Sequence, residues 1–480
     1  MTNATKIVCT LGPASAGLPV IRGMLEAGMN VARVNCSHGT HEEHGERIRT
    51  FRQACEELGL PPAVLLDTRG PEIRLGVFPE EKVILEKGQT FTLYGDADHP
   101  GSAEGVGISY GGLAGLVRPG TQILVDDGRI RMEVEESSGG DIRCTVMDDG
   151  PVSTKKGVNV PDVHLDMDYL SERDKDDLLF GIEQEVDFVA ASFMRSVEDA
   201  RDVRGFLDDH GGQSIQLIAK IENPEGIRNF EDILEVSDGI MIARGDMGVE
   251  VDYACLPGIQ KSFIYRCNRK GKPVITATQM LESMVEEPVP TRAEITDVAN
   301  AVFDGTSAVM LSGESAAGKY PVQTVAVMSR ILEQAEKDLR ESPRRKATRD
   351  EFAAEITAGG TDLSTAIGHA AGLAAEDIGA RALIAVTRSG YTARVMARFH
   401  PDQPILAATP SEQAARQLAL VRGVTPVITR QAEDWDHLIR EAIQGGRERG
   451  YLEEGDRVVI SAGLPLNESG NTNTLKVETV

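Results

Sequence analysis

Short apolar runs rich in β-branched residues recur through the first two thirds of the chain. They are KIVCTL (6–11), MNVARVN (29–35), AVLLDT (63–68), DFVAASF (187–193), IQLIAKIE (215–222), GIMIARG (239–245), PVITAT (273–278) and SAVMLSGE (307–314). Most are separated by room for one helix. LPVIRGMLEAG (18–28) and HEEHGERIRTFRQACEELG (41–59) carry apolar residues at helical spacing. Strand, helix, strand at this spacing predicts a parallel sheet, and eight such units predict a closed (β/α)8 TIM barrel.

One gap is too long for a helix. Between Thr68 and Asp187 the segments KVILEKGQTFTLYG (82–95), TQILVDDGRIRMEVEE (121–136) and DIRCTVMDDG (141–150) alternate apolar and polar residues around turn residues. That pattern predicts a small all-β lid domain at 71–160, inserted after the third barrel strand. It is entered through GPEIR (70–74) and left through KKGVNVPD (155–162), both Gly- and Pro-containing, so a hinge is expected there. The barrel then occupies 1–70 and 161–340. The charged stretch LRESPRRKATRDEFAAE (339–355) reads as helix or solvated linker. After it, ALIAVT (382–387), PILAAT (404–409), TPVIT (425–429), DRVVISAG (456–463) and NTLKVETV (473–480) predict a separate doubly wound α/β domain over 341–480.

The stretch LIAKIENPEG (217–226) leaves the core abruptly. Strand period places Lys220 and Glu222 on one face. An intrastrand ion pair would account for these two alone. In a barrel, however, the C-terminal strand ends line the site, and most of these ends are polar. They supply Arg33, Asn35, Ser37 and His38 from the second run, Asp67 and Thr68 from the third, and Arg244 and Asp246 from the sixth. The seventh adds Thr276 and Thr278, and the eighth Ser312 and Glu314. Glu222 and Asp246 are carboxylates without His or Cys companions, a set suited to Mg²⁺ or Mn²⁺ rather than zinc. Lys220 beside them puts a fixed cation where an enolate or a transferring phosphoryl group needs one. Asn35, Ser37, Asp67 and Thr68 form either a monovalent-cation site or a local hydrogen-bond network.

Charge narrows the partners. Seventy-five acidic residues face 50 basic ones, a net charge of −25 in 480 residues. That disfavours nucleic acid and anionic membranes as partners, while an anionic metabolite remains possible where cations converge. The cysteines Cys9, Cys36, Cys55, Cys144, Cys255 and Cys267 form no C-x-x-C pair and read as reduced core thiols of a cytoplasmic protein. The start, MTNATKIVCTLGP, has no leader pattern, and no apolar run approaches the ~20 residues of a membrane span.

The motifs TKIVCTLGPAS, VARVNCSHGTHEEH, DTRGPEIRLG, STKKGVNVPD, AKIENPEG, IARGDMGVE, TATQMLESM, PTRAE and DVANAVFDGTSAVMLSGESAAGKYP stand in an order that resembles the pyruvate kinases along essentially the whole chain. The resemblance implies a barrel, an inserted β lid and a C-terminal α/β domain. It implies phosphoryl transfer from phosphoenolpyruvate to ADP by a compact bacterial-type form, with a homotetramer as the expected assembly. Residue by residue, Lys220 resembles the lysine stabilising the transfer, and Glu222 and Asp246 the Mg²⁺ ligands. Arg33 resembles the arginine on the substrate phosphate. Gly245 and Asp246 with Thr278 resemble the carboxylate pocket. Asn35, Ser37, Asp67 and Thr68 resemble the K⁺ site. His38, Arg74 and Lys156, with Asn35 nearby, resemble the nucleotide contacts, and Ser312 and Glu314 a proton relay through water. Thr68 and Glu72 are the types that accompany K⁺ dependence in that family. Arg69 departs from the lysine of many relatives, which keeps charge but changes geometry.

Other signals are weaker. GESAAGKY (313–320) ends in Tyr320 where a P-loop needs Ser or Thr, and it follows the last barrel strand. His38, His41 and His44 lack the i, i+4 metalloprotease spacing, so His41 and His44 are expected on the surface of a first helical turn. A Mg²⁺-dependent lyase or aldolase on the same barrel is the alternative activity; it would not need Lys156 or the K⁺-site oxygens. A catalytically dead metabolite sensor is the alternative of another class, against which the intact set at the strand ends speaks. In the C-terminal domain, TRSGYT (387–392) precedes an expected helix. Thr387, Arg388, Ser389, Gly390 and Thr392 there form either a phosphate cradle or an ordinary capped helix start. The expected facing loop, 463–473, offers no Lys or Arg and contributes Glu468. The expected effector therefore has one phosphate, as a sugar monophosphate or AMP does, rather than two.

Overall fold

The computed structural model describes residues 3–161, 163–342, 345–358, 360–430, 435–465 and 470–480. Glu468 lies outside the described residues. Eight parallel strands close a barrel: β1 (Lys6–Thr10), β2 (Val31–Asn35), β3 (Ala63–Asp67), β4 (Phe188–Ala191), β5 (Gln216–Ile221), β6 (Gly239–Ala243), β7 (Val274–Ala277) and β8 (Ala308–Leu311), with β1 paired to β8. Period two divides each strand into an outward and an inward set. The outward set, including Ile7, Val34, Leu66, Val189, Leu217 and Ile242, packs against the surrounding helices in one buried cluster.

The inward set explains the site. Val8, Val31, Leu65, Phe188, Ala190, Ile218, Met241, Ile275 and Met310 fill the barrel with apolar side chains. Two residues further along the same faces come Thr10, Arg33, Asp67, Ser192 and Lys220. The barrel interior is thus layered, apolar below and polar at the C-terminal mouth. The opposite end is closed from another domain: Ala419 and Leu420, the latter fully buried, join the inward cluster.

Strands between Ile73 and Asn159 build the inserted domain. A seven-stranded sheet runs in the order Ile73–Arg74, Gly157–Asn159, Gln122–Val125, Ile130–Ser138, Asp141–Val146, Thr90–Tyr94, Gly105–Gly107. Lys82–Leu85 pairs separately with Gly150–Ser153. Its own core includes Phe78, Leu85, Phe91, Ile123, Met132 and Ile142. The C-terminal domain has strands β9 (Ala382–Val386), β10 (Ile405–Thr409), β11 (Val424–Ile428), β12 (Arg457–Ala462) and β13 (Thr474–Thr479), in the order β11-β10-β9-β12-β13. All pairs are parallel except β13 on β12. Among the described residues, no helix is long and apolar enough to cross a membrane.

Candidate active site

Lys220 is buried at the end of β5, and its ammonium has three neighbours. Nζ donates to Ser192 Oγ at 2.6 Å and to Asp67 Oδ1 at 2.9 Å, and lies 3.1 Å from Glu222 Oε1. Burial works against the charged form, but Asp67 and then Glu222 outweigh it, so Lys220 holds its proton more firmly than an ordinary lysine. Asp67 Oδ2 accepts from Arg33 Nε at 2.7 Å, and Arg33 Nη1 donates to Thr10 Oγ1 at 2.8 Å. Burial pushes the Asp67 carboxyl up, yet Arg33 and Lys220 together bring it below the usual carboxylate range. Asp67 therefore joins the two cations of the mouth, and register explains how. Asn35 and Asp67 are paired across β2 and β3, and Asp67 with Ala190 across β3 and β4.

Glu222 is short of a partner. Its Oε2 accepts from Phe193 N at 2.6 Å. Its Oε1 is buried without a well-formed hydrogen bond, despite the nearby ammonium. Burial pushes this carboxyl up, Lys220 opposes the push, and the charge of Asp246 adds to it. A buried carboxylate with surplus negative charge beside it is a place for a cation. Among the described residues no three His, Cys, Asp or Glu side chains gather to hold a metal. Two carboxylates suffice for Mg²⁺, which keeps waters and takes substrate oxygens as its other ligands.

The turns after β4 and β7 are strained. Phe193 (φ 54°), Thr278 (φ 64°) and Gln279 (φ 54°) occupy the left-handed region, which a β-branched threonine seldom adopts. Thr278 Oγ1 accepts from Gly245 N at 2.7 Å. Arg244 grips the same turn, its Nη2 donating to Thr278 O at 2.7 Å and Nη1 reaching Asp297. At the end of β8, Glu314 is fully buried. It accepts from Ser312 N at 2.7 Å and Leu281 N at 3.1 Å, while the Ser312 hydroxyl is buried without a partner. Burial pushes the Glu314 carboxyl up, against the pull of these backbone donors.

Above this mouth lies a cleft of about 310 Å³ shared by barrel and lid. His38, Arg74, Lys156 and Asp246 line it, as do Phe193 and Asn223, the neighbours of Glu222. Arg74 is held by Glu72 at 2.6 Å, and Lys156 by Asp126 at 2.7 Å. Beside the cleft, Asn159 Nδ2 of the lid donates to Glu250 Oε1 of the barrel at 2.8 Å, and His164 Nδ1, in the segment that returns from the lid, lies 3.0 Å from Glu225 Oε2. Asn35 ends β2 and Ser37 sits on the loop that follows, where Asn35 Oδ1 accepts from Ser37 N at 3.1 Å. Thr68 is buried behind them and its carbonyl accepts from Ser192 Oγ. The guanidinium of Arg69 donates to Ser37 O at 3.3 Å, so this departure from lysine steadies the loop.

Two expectations change. His44 is buried, not on the surface: its Nε2 meets His38 O at 2.8 Å, because the Thr40 capping box folds the loop back over the first helical turn. His41 is exposed, as expected, while stacking on Phe180 and pairing with Asp177 at 2.5 Å. Five cysteines are buried thiols, but Cys255 is exposed. Two groups escaped the sequence. Ser192 bridges Lys220, Asp67 and Thr68, and its signal was the polar end of DFVAASF, inward by the same period two. Asp126 and Asp127 form the lid turn at φ 53° and 54°; burial, and then the charge of Asp246, pushes the Asp127 carboxyl up. The effector residues lie elsewhere, at the start of helix Tyr391–Ala397. There Thr392 Oγ1 meets Thr472 Oγ1 at 2.9 Å, and Thr387 is buried.

A closed barrel that gathers a buried ammonium, two arginines and a carboxylate with one oxygen lacking a hydrogen bond under a lid defines a barrel enzyme acting on anionic, phosphorylated substrates. Comparisons with known proteins give the family. The description "Pyruvate kinase, barrel domain" matches residues 2–325, and "Pyruvate kinase, alpha/beta domain" matches residues 365–478. The pyruvate kinase of Clostridium acetobutylicum is 46% identical over 477 residues, 99% of either chain. That of Geobacillus stearothermophilus is 44% identical over 482 residues, covering all of this chain and 81% of the relative. That of Bacillus licheniformis is 43% identical, covering 99% and 80%. The chain belongs to the pyruvate kinase family and is a phosphotransferase. No comparison favours a lyase.

Proposed function

We propose that this chain transfers the phosphoryl group of phosphoenolpyruvate to ADP, giving pyruvate and ATP, with Lys220 at the centre of the charge redistribution. The observation that carries this is the Lys220 ammonium, buried, bonded to Asp67 and Ser192, and kept protonated against its burial by the charges of Asp67 and Glu222. A fixed cation in a water-poor pocket stabilises charge as it develops, without reorganising. Arg33, fixed by Asp67, binds the phosphate of phosphoenolpyruvate. Its carboxylate lies at the Gly245–Asp246 backbone and Thr278, with the Gly245 N–H exchanging its present bond to the Thr278 hydroxyl for the substrate. His38, Arg74 and Lys156, with Asn35 beside them, contact the nucleotide phosphates. Glu314 and the partnerless Ser312 hydroxyl pass a proton to the enolate through water.

Glu222 and Asp246 would hold Mg²⁺ or Mn²⁺, and Asn35, Ser37, Asp67 and Thr68 would hold K⁺; bound there, the ions would neutralise phosphate charge. The enzyme acts in the cytoplasm as a homotetramer, without nucleic acid or membrane. A coupled assay tests the activity: turnover is expected with phosphoenolpyruvate, ADP, Mg²⁺ and K⁺. Replacing K⁺ with a bulky organic cation should remove most of it. Full rate in that buffer would refute the K⁺ site, and no turnover in any salt would refute the reaction.

Regulation follows the same reasoning. Thr387, Arg388, Ser389, Gly390 and Thr392 form a cradle for one phosphate, so a sugar monophosphate or AMP lowers the half-saturation for phosphoenolpyruvate through coupling between sites. Titrating each effector on wild type and on Thr387→Ala/Ser389→Ala tests this. Activation by a sugar bisphosphate alone, or equal activation of both proteins, would overturn it.

A further inference from the structure

A second crevice lies on the opposite side of the barrel from the cleft, at the seam with the C-terminal domain. Its walls are the turn between helix Leu256–Lys270 and β7, with Asn268, Gly271 and Lys272, and the end of helix Tyr391–Ala397, with Arg394 and Arg398. His400 and Arg422 complete it. Among its lining residues are four Lys or Arg side chains and no Asp or Glu. In a chain with 75 acidic and 50 basic residues, that local excess is against the background.

Hydrogen bonding shows which of these cations are committed. Lys272 Nζ caps a helix end, donating to Leu234 O, Glu235 O and Ser237 O at 2.7 to 2.8 Å. Arg422 Nη1 donates to Thr5 Oγ1 at 2.6 Å. Two donors remain over. Arg394 uses Nη2 on Ser389 O at 3.0 Å, but its Nη1 is buried with no partner. Arg398 uses Nη2 on Arg269 O, but its Nε is likewise buried with no partner. Burial lowers the proton affinity of both guanidinium groups, and the facing acids, Asp238 for Arg394 and Asp362 for Arg398, only partly offset it. Buried donors without a hydrogen-bond partner are costly until one arrives, and charged ones more so.

We propose that this seam crevice binds a phosphate oxyanion, the phosphate group of a metabolite or free inorganic phosphate, between Arg394 and Arg398. Guanidinium forks match phosphate oxygens in charge and geometry. The crevice has about 30 Å³ of room, enough for an oxyanion head but not for a sugar or a base. An anion there ties the barrel turn before β7, whose far end carries Thr276 and Thr278, to the helix that follows the 387–392 cradle. Arg394 touches both, since its other nitrogen holds the Ser389 carbonyl. The crevice adjoins the cradle through Arg394, whose Nη1 lies beside Gly390, and it does not depend on the catalytic assignments.

The test uses the full-length Thr387→Ala/Ser389→Ala protein, in which the cradle is removed. Inorganic phosphate is titrated at constant ionic strength while Tm is followed. Tm is expected to rise saturably, and adding Arg398→Gln is expected to raise the half-saturating phosphate concentration tenfold or more. An unchanged titration in the Arg398→Gln protein would overturn the site. A phosphate monoester such as glycerol phosphate, titrated in parallel, tells the sources apart. The tighter of the two ligands names the natural one, provided Arg398→Gln weakens it. Should Arg398→Gln fail to fold, a wild-type crystal soaked in phosphate decides. Density between Arg394 and Arg398 supports the proposal, and a crevice without density at saturating phosphate refutes it.

Discussion

Lys220 touches both Asp67 and Glu222. These neighbours are buried carboxylates, and of the two Arg33 pairs with Asp67. Lys220→Met is therefore expected to fold, with Asp67 still neutralised by Arg33, and to lose on the order of 10²–10³ in kcat, the usual cost of one electrostatic donor at a reacting centre. Steady-state rates at saturating metal, with circular dichroism to check the fold, measure this; kcat near wild type would remove Lys220 from the chemistry. The lysine and its carboxylate were readable from the chain because period two inside a barrel carries an apolar column, Ile218, straight into Lys220 and Glu222. Ser192 obeys the same rule but is a small hydroxyl after FVAA, and nothing in its identity marks it as the bridge it forms. The strain at Thr278 was not readable at all, since a positive φ in threonine is imposed by what grips it, here Arg244 on its carbonyl.

Elements inherit their edges from short polar signals, and among the described residues four α-helices begin with full capping boxes, at Thr40, Ser171, Ser196 and Thr291. The box at Thr40 has a second consequence. It starts helix His41–Leu58 immediately after the loop carrying Asn35, Ser37 and His38, and it brings buried His44 under the His38 carbonyl. Thr40→Ala is expected to cost about 1 kcal/mol of stability, read by chemical denaturation, and to weaken ADP binding more than phosphoenolpyruvate binding, because His38 lines the cleft and Arg33 does not hang from this loop. An unchanged denaturation midpoint would show that the cap is dispensable. Barrel strands, helices and the all-β insertion were visible as changes of hydrophobic period from 2 to 3.6 and back. The lid turn at Asp126 and Asp127 was visible only as a turn. Its approach to Asp246 depends on how the inserted domain sits over the barrel, which no local pattern encodes.

The whole molecule is held together at the end of the barrel away from the cleft, and the sequence gives little warning of it. ALVRGV reads as a helix end, yet Leu420 fills the base of the barrel, Arg416 reaches fully buried Asp187 at 2.8 Å, and Lys6 Nζ donates to Val424 O at 2.7 Å. Lys6 is a buried cation facing Glu336 and Arg422. Burial lowers it to about 8 from 10.5, Glu336 pulling the other way and Arg422 adding to the shift. The sign of the resulting pH dependence follows from proton counting. Between pH 8 and 10.5 the unfolded chain keeps a proton on Lys6 that the folded chain has released, so stability rises with pH across that window. Below pH 8 both states are protonated and the folded state bears the burial of the charge. Lys6→Met removes this term. The Tm difference between wild type and Lys6→Met is therefore expected to move in favour of wild type as pH rises from 8 to 10, while at pH 6 to 7 it stays flat. Thermal scans of both proteins across the range measure it, and parallel Tm curves would show that Lys6 stays protonated in the seam, with Glu336 rather than burial deciding its state.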